Sequence, residues 1–151
     1  STGAWPLNTL LTAEEIEHKV FDDSSVHRYM ILDEKNKAIG TLGFREVNVP
    51  ARSATIYIVI GEQEYWNKGY GTDALTTFIS FLFKQWNFHR LTLDTWDGNN
   101  RALKVYQKLG FQIEGRLREA RYVLGEYRDA IVLGLLKKDF IANTVLDNNC
   151  R

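Results

Sequence analysis

The stretch Trp66-Asn67-Lys68-Gly69-Tyr70-Gly71-Thr72-Asp73 joins two unlike patterns. Ahead of it, Ala54 to Ile60 alternates apolar residues at the period of a strand. Behind it, Gly71 to Trp86 carries Leu75, Phe78, Ile79, Leu82 and Trp86 at helical spacing. A glycine-rich loop that opens a helix is suited to an anion. Glycine lets the backbone approach closely, and the first helical N–H groups have no partners within the helix. A phosphate or pyrophosphate is the expected guest, which points to a nucleotide- or coenzyme-binding enzyme.

Three coenzyme classes use such a loop. A P-loop needs G-x-x-x-x-G-K-S/T, and here Lys68 precedes Gly69, which excludes it. A dinucleotide fingerprint does fit Gly69 to Ala74, and Asp94 lies downstream where a ribose-binding acid would. Two features oppose it. Gly61 to Lys68 intervene between strand and glycines, and the preceding strands read as a meander, not as βαβ units. The third class depends on a second segment, Asn99-x-x-Ala102-x-x-x-Tyr106-x-x-x-Gly110-Phe111.

The remaining chain gives the frame. Thr12-Ala13-Glu14-Glu15 is a capping-box pattern opening a short helix to about Val20. Tyr29–Leu32, Ala38–Phe44 and Thr55–Ile60 read as an antiparallel meander, with Pro50 in its second link. After the long helix come a strand at Leu91–Thr95 and a helix from Asn99 to Leu109, closed by Gly110. Two strands follow, Gln112–Leu124 and Tyr127–Leu136, and then a helical turn or two from Lys137 to Asn143. The order predicts one α/β domain over residues 1–151, with a mixed sheet and crossover helices only in its second half.

Composition bounds the function. At 44% hydrophobic and 13% aromatic, the 151-residue chain can bury a core. Lys+Arg and Asp+Glu both number 19, so no global charge recruits nucleic acid or an anionic membrane. No apolar run is long enough to span a bilayer. The single cysteine, Cys150, allows no intrachain disulfide and is too peripheral to suggest a nucleophile; cytoplasmic is the expected compartment. His18, His27 and His89 lack ligand spacing, so no metal is expected. His89 is expected to be structural.

The two segments together resemble consecutive motifs of the GNAT superfamily of N-acetyltransferases. Trp66-x-x-Gly69-x-Gly71 resembles its Gln/Arg-x-x-Gly-x-Gly/Ala motif, with Trp66 in place of Gln or Arg. The Asn99-to-Phe111 segment resembles N-x-x-A-x-x-x-Y-x-x-x-G-F. Glu114 to Ala120 with Gly134-Leu135-Leu136 is similar to the branch of ribosomal-protein N-terminal and spermidine acetyltransferases. The resemblance covers roughly Thr12 to Phe140. It implies a mostly antiparallel twisted sheet flanked by helices. The family's usual first strand and helix need more residues than precede Thr12.

The resemblance also implies chemistry. Acetyl-CoA is the donor, and a primary amine (protein N-terminus, polyamine or other small amine) attacks it directly in a ternary complex. The pyrophosphate lies on the N–H groups of Lys68, Gly69, Tyr70, Gly71 and Thr72. The strand matching Thr55–Ile60 splays from Leu91–Thr95, and the pantetheine arm pairs with backbone near Ile58, Val59 and Ile60. Asn99 serves as N-cap and lies near the pantetheine. Tyr106 either packs with Val105 and Leu109 or protonates the leaving thiolate; a phenol of pKa about 10 keeps its proton at neutral pH. Glu62 is a candidate base, Glu46 another, and both could be plain surface carboxylates. Arg101 and Lys104 are expected to be solvated charges.

The hairpin after Gln112 is expected to line the acceptor side. Its mixed charge, Arg116, Arg118, Glu119, Arg121, Glu126, Arg128 and Asp129, favours protein N-termini or small amines over polyamines. A homodimer stays open. The alternative is a non-catalytic CoA-binding or interaction domain.

Overall fold

The computed structural model describes residues 25–61 and 63–140. The predicted helix from Thr12, Glu62, His18 and Cys150 all lie outside the described residues. Within them run β1 (His27–Leu32), β2 (Ala38–Asn48), β3 (Ser53–Ile60), a 3-10 turn (Gln63–Tyr65), α1 (Tyr70–Lys84), β4 (Arg90–Trp96), α2 (Asn100–Lys108), β5 (Gln112–Val123) and β6 (Glu126–Leu136). A further helical stretch begins at 137–140.

The strands form a six-stranded sheet in the order β1-β2-β3-β4-β6-β5. Every neighbouring pair is antiparallel except β3 and β4, which α1 connects in parallel. The mixed, mostly antiparallel sheet flanked by helices is the architecture the sequence predicts.

Local chemistry sets the turns. Asp33 Oδ1 accepts from the Lys35 and Lys37 amides at 2.8 and 2.9 Å, closing the β1–β2 link around left-handed Asn36. Leu124 and Gly125, both at positive φ, make the two-residue turn between β5 and β6. β2 runs four residues past the predicted Phe44, through an irregularity between Arg45 and Asn48 where Glu46 is left-handed. α1 stops at Lys84, short of Trp86. Phe83 completes its buried face, and Trp86 lies 42% exposed, edge-on to Phe44 and stacked with Phe88.

The core is one cluster. The inward alternates Ile56, Ile58 and Ile60 of β3 and Leu91 and Leu93 of β4 meet Leu75, Phe78, Ile79 and Leu82 of α1. Ala102 and Tyr106 of α2 and Leu133 and Leu135 of β6 join the same cluster. Phe44 is fully buried at the centre of an aromatic group, stacked on His27 at 4.4 Å and tilted against Phe78. Removing its ring leaves a cavity bounded by rigid neighbours. Phe44→Ala is expected to lower unfolding free energy by about 3–5 kcal/mol, measured by urea denaturation followed by fluorescence. A loss under about 1 kcal/mol would mean that the aromatic group collapses into the space.

Candidate active site

β3 and β4 pair over only Ser53↔Arg90, Ala54↔Leu91 and Thr55↔Thr92. Beyond Thr55 they part. Each keeps its outer partner, β3 to β2 as far as Ile60 and β4 to β6 as far as Trp96. The result is a V, and among the described residues no strand lies between its inner backbone edges. A cavity of about 210 Å³ opens there, lined among others by Ile56, Ile58, Leu75, Leu93, Asp94 and Tyr106. This is the splay expected from the resemblance.

Backbone alternation decides which groups face the V. The Gly61 N–H donates to the Ile39 carbonyl, and the β2–β3 register is Gly40↔Ile60. In an antiparallel ladder this turns the groups of Thr55, Tyr57 and Val59 toward β2 and those of Ile56, Ile58 and Ile60 toward the V. Of the three expected pairing residues, Val59 is therefore engaged with β2. The Ile60 carbonyl accepts from Trp66 Nε1 at 3.1 Å, which leaves Ile58 with its backbone aimed into the open V.

The glycine loop stands at the top of β3. Asn67 and Gly69 are both left-handed, at φ 60 and 84, and Gly69 is the N-cap of α1 without any side-chain cap. The first helical bond runs from the Asp73 amide to the Gly69 carbonyl, so the amides of Gly69, Tyr70, Gly71 and Thr72 precede it. They form a donor cluster at the positive end of a 15-residue helix.

Contacts absent from any local pattern hold this loop. The Tyr70 hydroxyl donates to Glu34 at 2.6 Å, and the Tyr65 hydroxyl donates to Asp33 at 2.9 Å, so the β1–β2 turn braces the loop. The bond to Glu34 pushes the Tyr70 pKa up to about 12. Trp66 binds β3 through its indole N–H and carries the Arg101 guanidinium 4.3 Å from its ring centre. Arg101 is thus half-buried and stacked on an aromatic ring, not the solvated charge expected; Lys104 is exposed as expected. Sequence spacing gives no signal for Asp33, Glu34 or the Trp66–Arg101 stack, because each joins distant segments.

The second motif has a physical account at nearly every position. Asn99 caps α2, its Oδ1 accepting from the Ala102 amide, while its Nδ2 donates to Thr95 Oγ1 at 3.0 Å. That buried pair ties the start of α2 to the end of β4. At the other end, the Phe111 amide donates to the Tyr106 carbonyl and the Gly110 amide to the Gln107 carbonyl, a Schellman closure with Gly110 at φ 106. The Phe111 ring meets Tyr106 edge-on at 6.1 Å. Tyr106 is clamped between these ends and is 3% exposed on the wall of the V. Burial pushes its pKa up to about 12.

Other expected residues lie elsewhere. Glu46 is exposed, and its carboxylate accepts from the Thr55 hydroxyl at 2.7 Å. His89 is exposed and works through its backbone, donating to the Arg52 carbonyl and accepting from Lys137. On the hairpin, Arg116 pairs with Asp129 and Asp97, and Arg128 with Glu126, so these charges satisfy one another. Two of them reach β4: Arg121 pairs with Asp94, and the Arg128 guanidinium lies 5.9 Å from the centre of the Trp96 ring. No group of three or more His, Cys, Asp or Glu able to hold a metal occurs among the described residues. No helix among them is long and apolar enough to cross a membrane.

Residues 2–112 match the family model described as acetyltransferase (GNAT) domain. The chain belongs to the GNAT family. Its activity is acetyl transfer from acetyl-CoA to an amine. It is similar to a spermidine N(1)-acetyltransferase of Escherichia coli, 29% identical over 137 residues, 91% of this chain and 73% of that protein. One from Vibrio cholerae is 26% identical over 136 residues, 90% of this chain and 78% of that protein. A solved structure of the Vibrio cholerae spermidine N-acetyltransferase in complex with CoA and spermine superposes with a TM-score of 0.75 at 27% identity. It covers 85% of this chain and 75% of that one.

Asn99→Ala removes a helix cap and leaves the Thr95 hydroxyl without its buried partner. It is expected to cost about 1–2 kcal/mol of stability by urea denaturation. An unchanged midpoint would show that neither bond fixes α2 to β4.

Proposed function

We propose that the V between β3 and β4 is the acetyl-transfer site, with the pantetheine arm as its missing strand. The free inner edge of β3 carries this reading. Ile58 offers a donor and an acceptor there, and the Ile60 carbonyl is already taken by Trp66. The pyrophosphate lies on the amides of Lys68 to Thr72. Asn99 acts as a positioning residue, holding α2 so that Tyr106 faces the thioester.

In the reaction, the amine nitrogen attacks the thioester carbonyl, a C–N bond forms and the C–S bond breaks. The electron pair leaves on sulfur. Tyr106 supplies the hydrogen bond that meets it. With its pKa raised to about 12, the phenol is fully protonated at neutral pH and is a weaker acid than an exposed one. It therefore stabilises the developing thiolate as a donor. The proton passes over to the extent that the same apolar wall raises the thiol's own pKa. The amine proton leaves to solvent or to a carboxylate. Glu62 is the proposed base, since Glu46 is committed to Thr55.

The names of the relatives support a polyamine among small-amine acceptors. Among the hairpin charges that favoured a peptide terminus, Arg116 is paired with Asp129 and Arg128 with Glu126. A small primary amine is thus the acceptor the geometry serves.

Tyr106→Phe is expected to lower kcat roughly a hundredfold with little change in KM for acetyl-CoA, followed by thiol release. An unchanged kcat with chemistry rate-limiting would remove Tyr106 from the mechanism. The raised pKa also fixes a sign. Because the protonated phenol is the active form, Tyr106 is expected to cause no loss of kcat as pH rises to about 10. A descending limb that begins near pH 9 and disappears in Tyr106→Phe would contradict this.

A further inference from the structure

The glycine loop lacks the support that a helix start usually has. Gly69 caps α1 with no side-chain bond, and Asn67 and Gly69 both stand in the left-handed region. A Cβ added at Gly69 would meet nothing within 4 Å, so no packing presses on the loop from that side. An amide cluster of this kind binds an anion well only if its donors are already aimed, because ordering them on binding costs affinity. The order comes from another part of the sheet. Tyr65 and Tyr70 flank the loop, and their hydroxyls donate to Asp33 at 2.9 Å and to Glu34 at 2.6 Å.

Both acceptors belong to one rigid turn. Asp33 gives its other carboxylate oxygen to the Lys35 and Lys37 amides, and its own amide donates to the Lys37 carbonyl. The two phenol rings meet edge-on at 5.3 Å, and the Lys37 ammonium lies 5.8 Å from the centre of the Tyr65 ring. The bond to Asp33 pushes the Tyr65 pKa up, and the bond from Tyr70 holds the Glu34 carboxyl below its ordinary value. The phenols therefore donate and the carboxylates accept throughout the neutral range. Tyr70 also supplies one of the free amides at the helix start, so pinning its side chain fixes that end of the loop. Trp66 pins the other end to β3 through the Ile60 carbonyl. A carboxylate one phenol away from these amides carries the wrong charge to attract a diphosphate. Its place there is explained by the geometry it imposes, not by its charge.

We propose that Asp33 and Glu34 are positioning residues for the coenzyme: through Tyr65 and Tyr70, the β1–β2 turn holds the loop amides in their anion-binding arrangement and so sets the affinity for the diphosphate of acetyl-CoA. The proposal rests on the reading that places the pyrophosphate on this loop. In this role neither carboxylate touches the coenzyme, and each acts through a phenol. Glu34 serves as a hydrogen-bond acceptor, so a neutral acceptor of the same shape serves as well.

The test uses the whole chain, thiol release with two donors, and calorimetric binding of CoA. S-acetylpantetheine carries the thioester arm without the diphosphate and nucleotide, and the parent chain is expected to prefer acetyl-CoA over it in kcat/KM. Glu34→Ala is expected to raise KM for acetyl-CoA and Kd for CoA about three- to tenfold, leaving kcat, and kcat/KM for S-acetylpantetheine, as they were. Glu34→Gln keeps an acceptor and is expected to return KM to the parent value or below it. Tyr65→Phe, which cuts the Asp33 arm, is expected to raise KM for acetyl-CoA in the same direction. Tyr70→Phe is expected to match Glu34→Ala, and the two together to cost no more than either alone, since both remove one bond. Effects of this pair that multiply, or a rise in KM for both donors alike, overturn the positioning role. A preference for acetyl-CoA that every variant retains, with KM unchanged, overturns the brace and leaves the pyrophosphate on the loop. A parent chain without that preference overturns the pyrophosphate placement, and the proposal falls with it.

Discussion

Two strands that begin as a parallel pair and then part leave backbone donors and acceptors facing a gap, and most of this structure exists to keep that gap open. β2 and β6 hold the outer edges of β3 and β4 along their whole length, so the strands stay extended after Thr55↔Thr92 ends their contact. Among the described residues, the inner edges beyond Thr55 and Thr92 have no strand partner. An unpaired backbone edge inside a sheet is costly unless something else supplies the bonds. In the proposed reading a pantetheine arm, with its own amides, supplies them as a substitute strand.

The helices act as fixtures for the gap. α1 delivers its unpaired amides at the end of β3, and the loop before it is held from three directions: by Trp66 to β3, by Arg101 on Trp66 from α2, and by Tyr65 and Tyr70 to the β1–β2 turn. α2 carries Tyr106 to the wall, fixed by Asn99 to β4 at one end and by the Gly110–Phe111 closure at the other. Trp66 replaces the Gln or Arg usual in the motif. It keeps a donor for the Ile60 carbonyl and adds a ring that seats a cation.

Much of the fold was legible in the sequence because the periodicities are clean. Ser53–Ile60 and Arg90–Trp96 alternate buried with partly buried residues along their length, and α1 buries Leu75, Phe78, Ile79 and Leu82 as its spacing predicts. The misses have physical causes. β2 outran its apolar pattern because its last residues pair with β3 through the backbone while their side chains, mostly polar, stay exposed. Trp86 fell on the helical period, yet an aromatic ring packs equally well beyond a helix end against Phe44 and Phe88. Of the candidate site, Tyr106 and the loop glycines were legible from motif spacing. Val59 was misplaced because which edge a backbone group faces depends on the β2–β3 register, which one strand cannot reveal.

The sequence by itself determined the elements, the glycine loop that opens α1, and a helix capped by Asn99 and closed by Gly110, since each depends on residues within a few positions of one another. The tertiary structure alone decided that β3 and β4 part and that Arg101 stacks on Trp66. These follow from long-range pairing and register. Local patterns specify an element and its faces, but the neighbours those faces meet are fixed only when the whole sheet closes on its core.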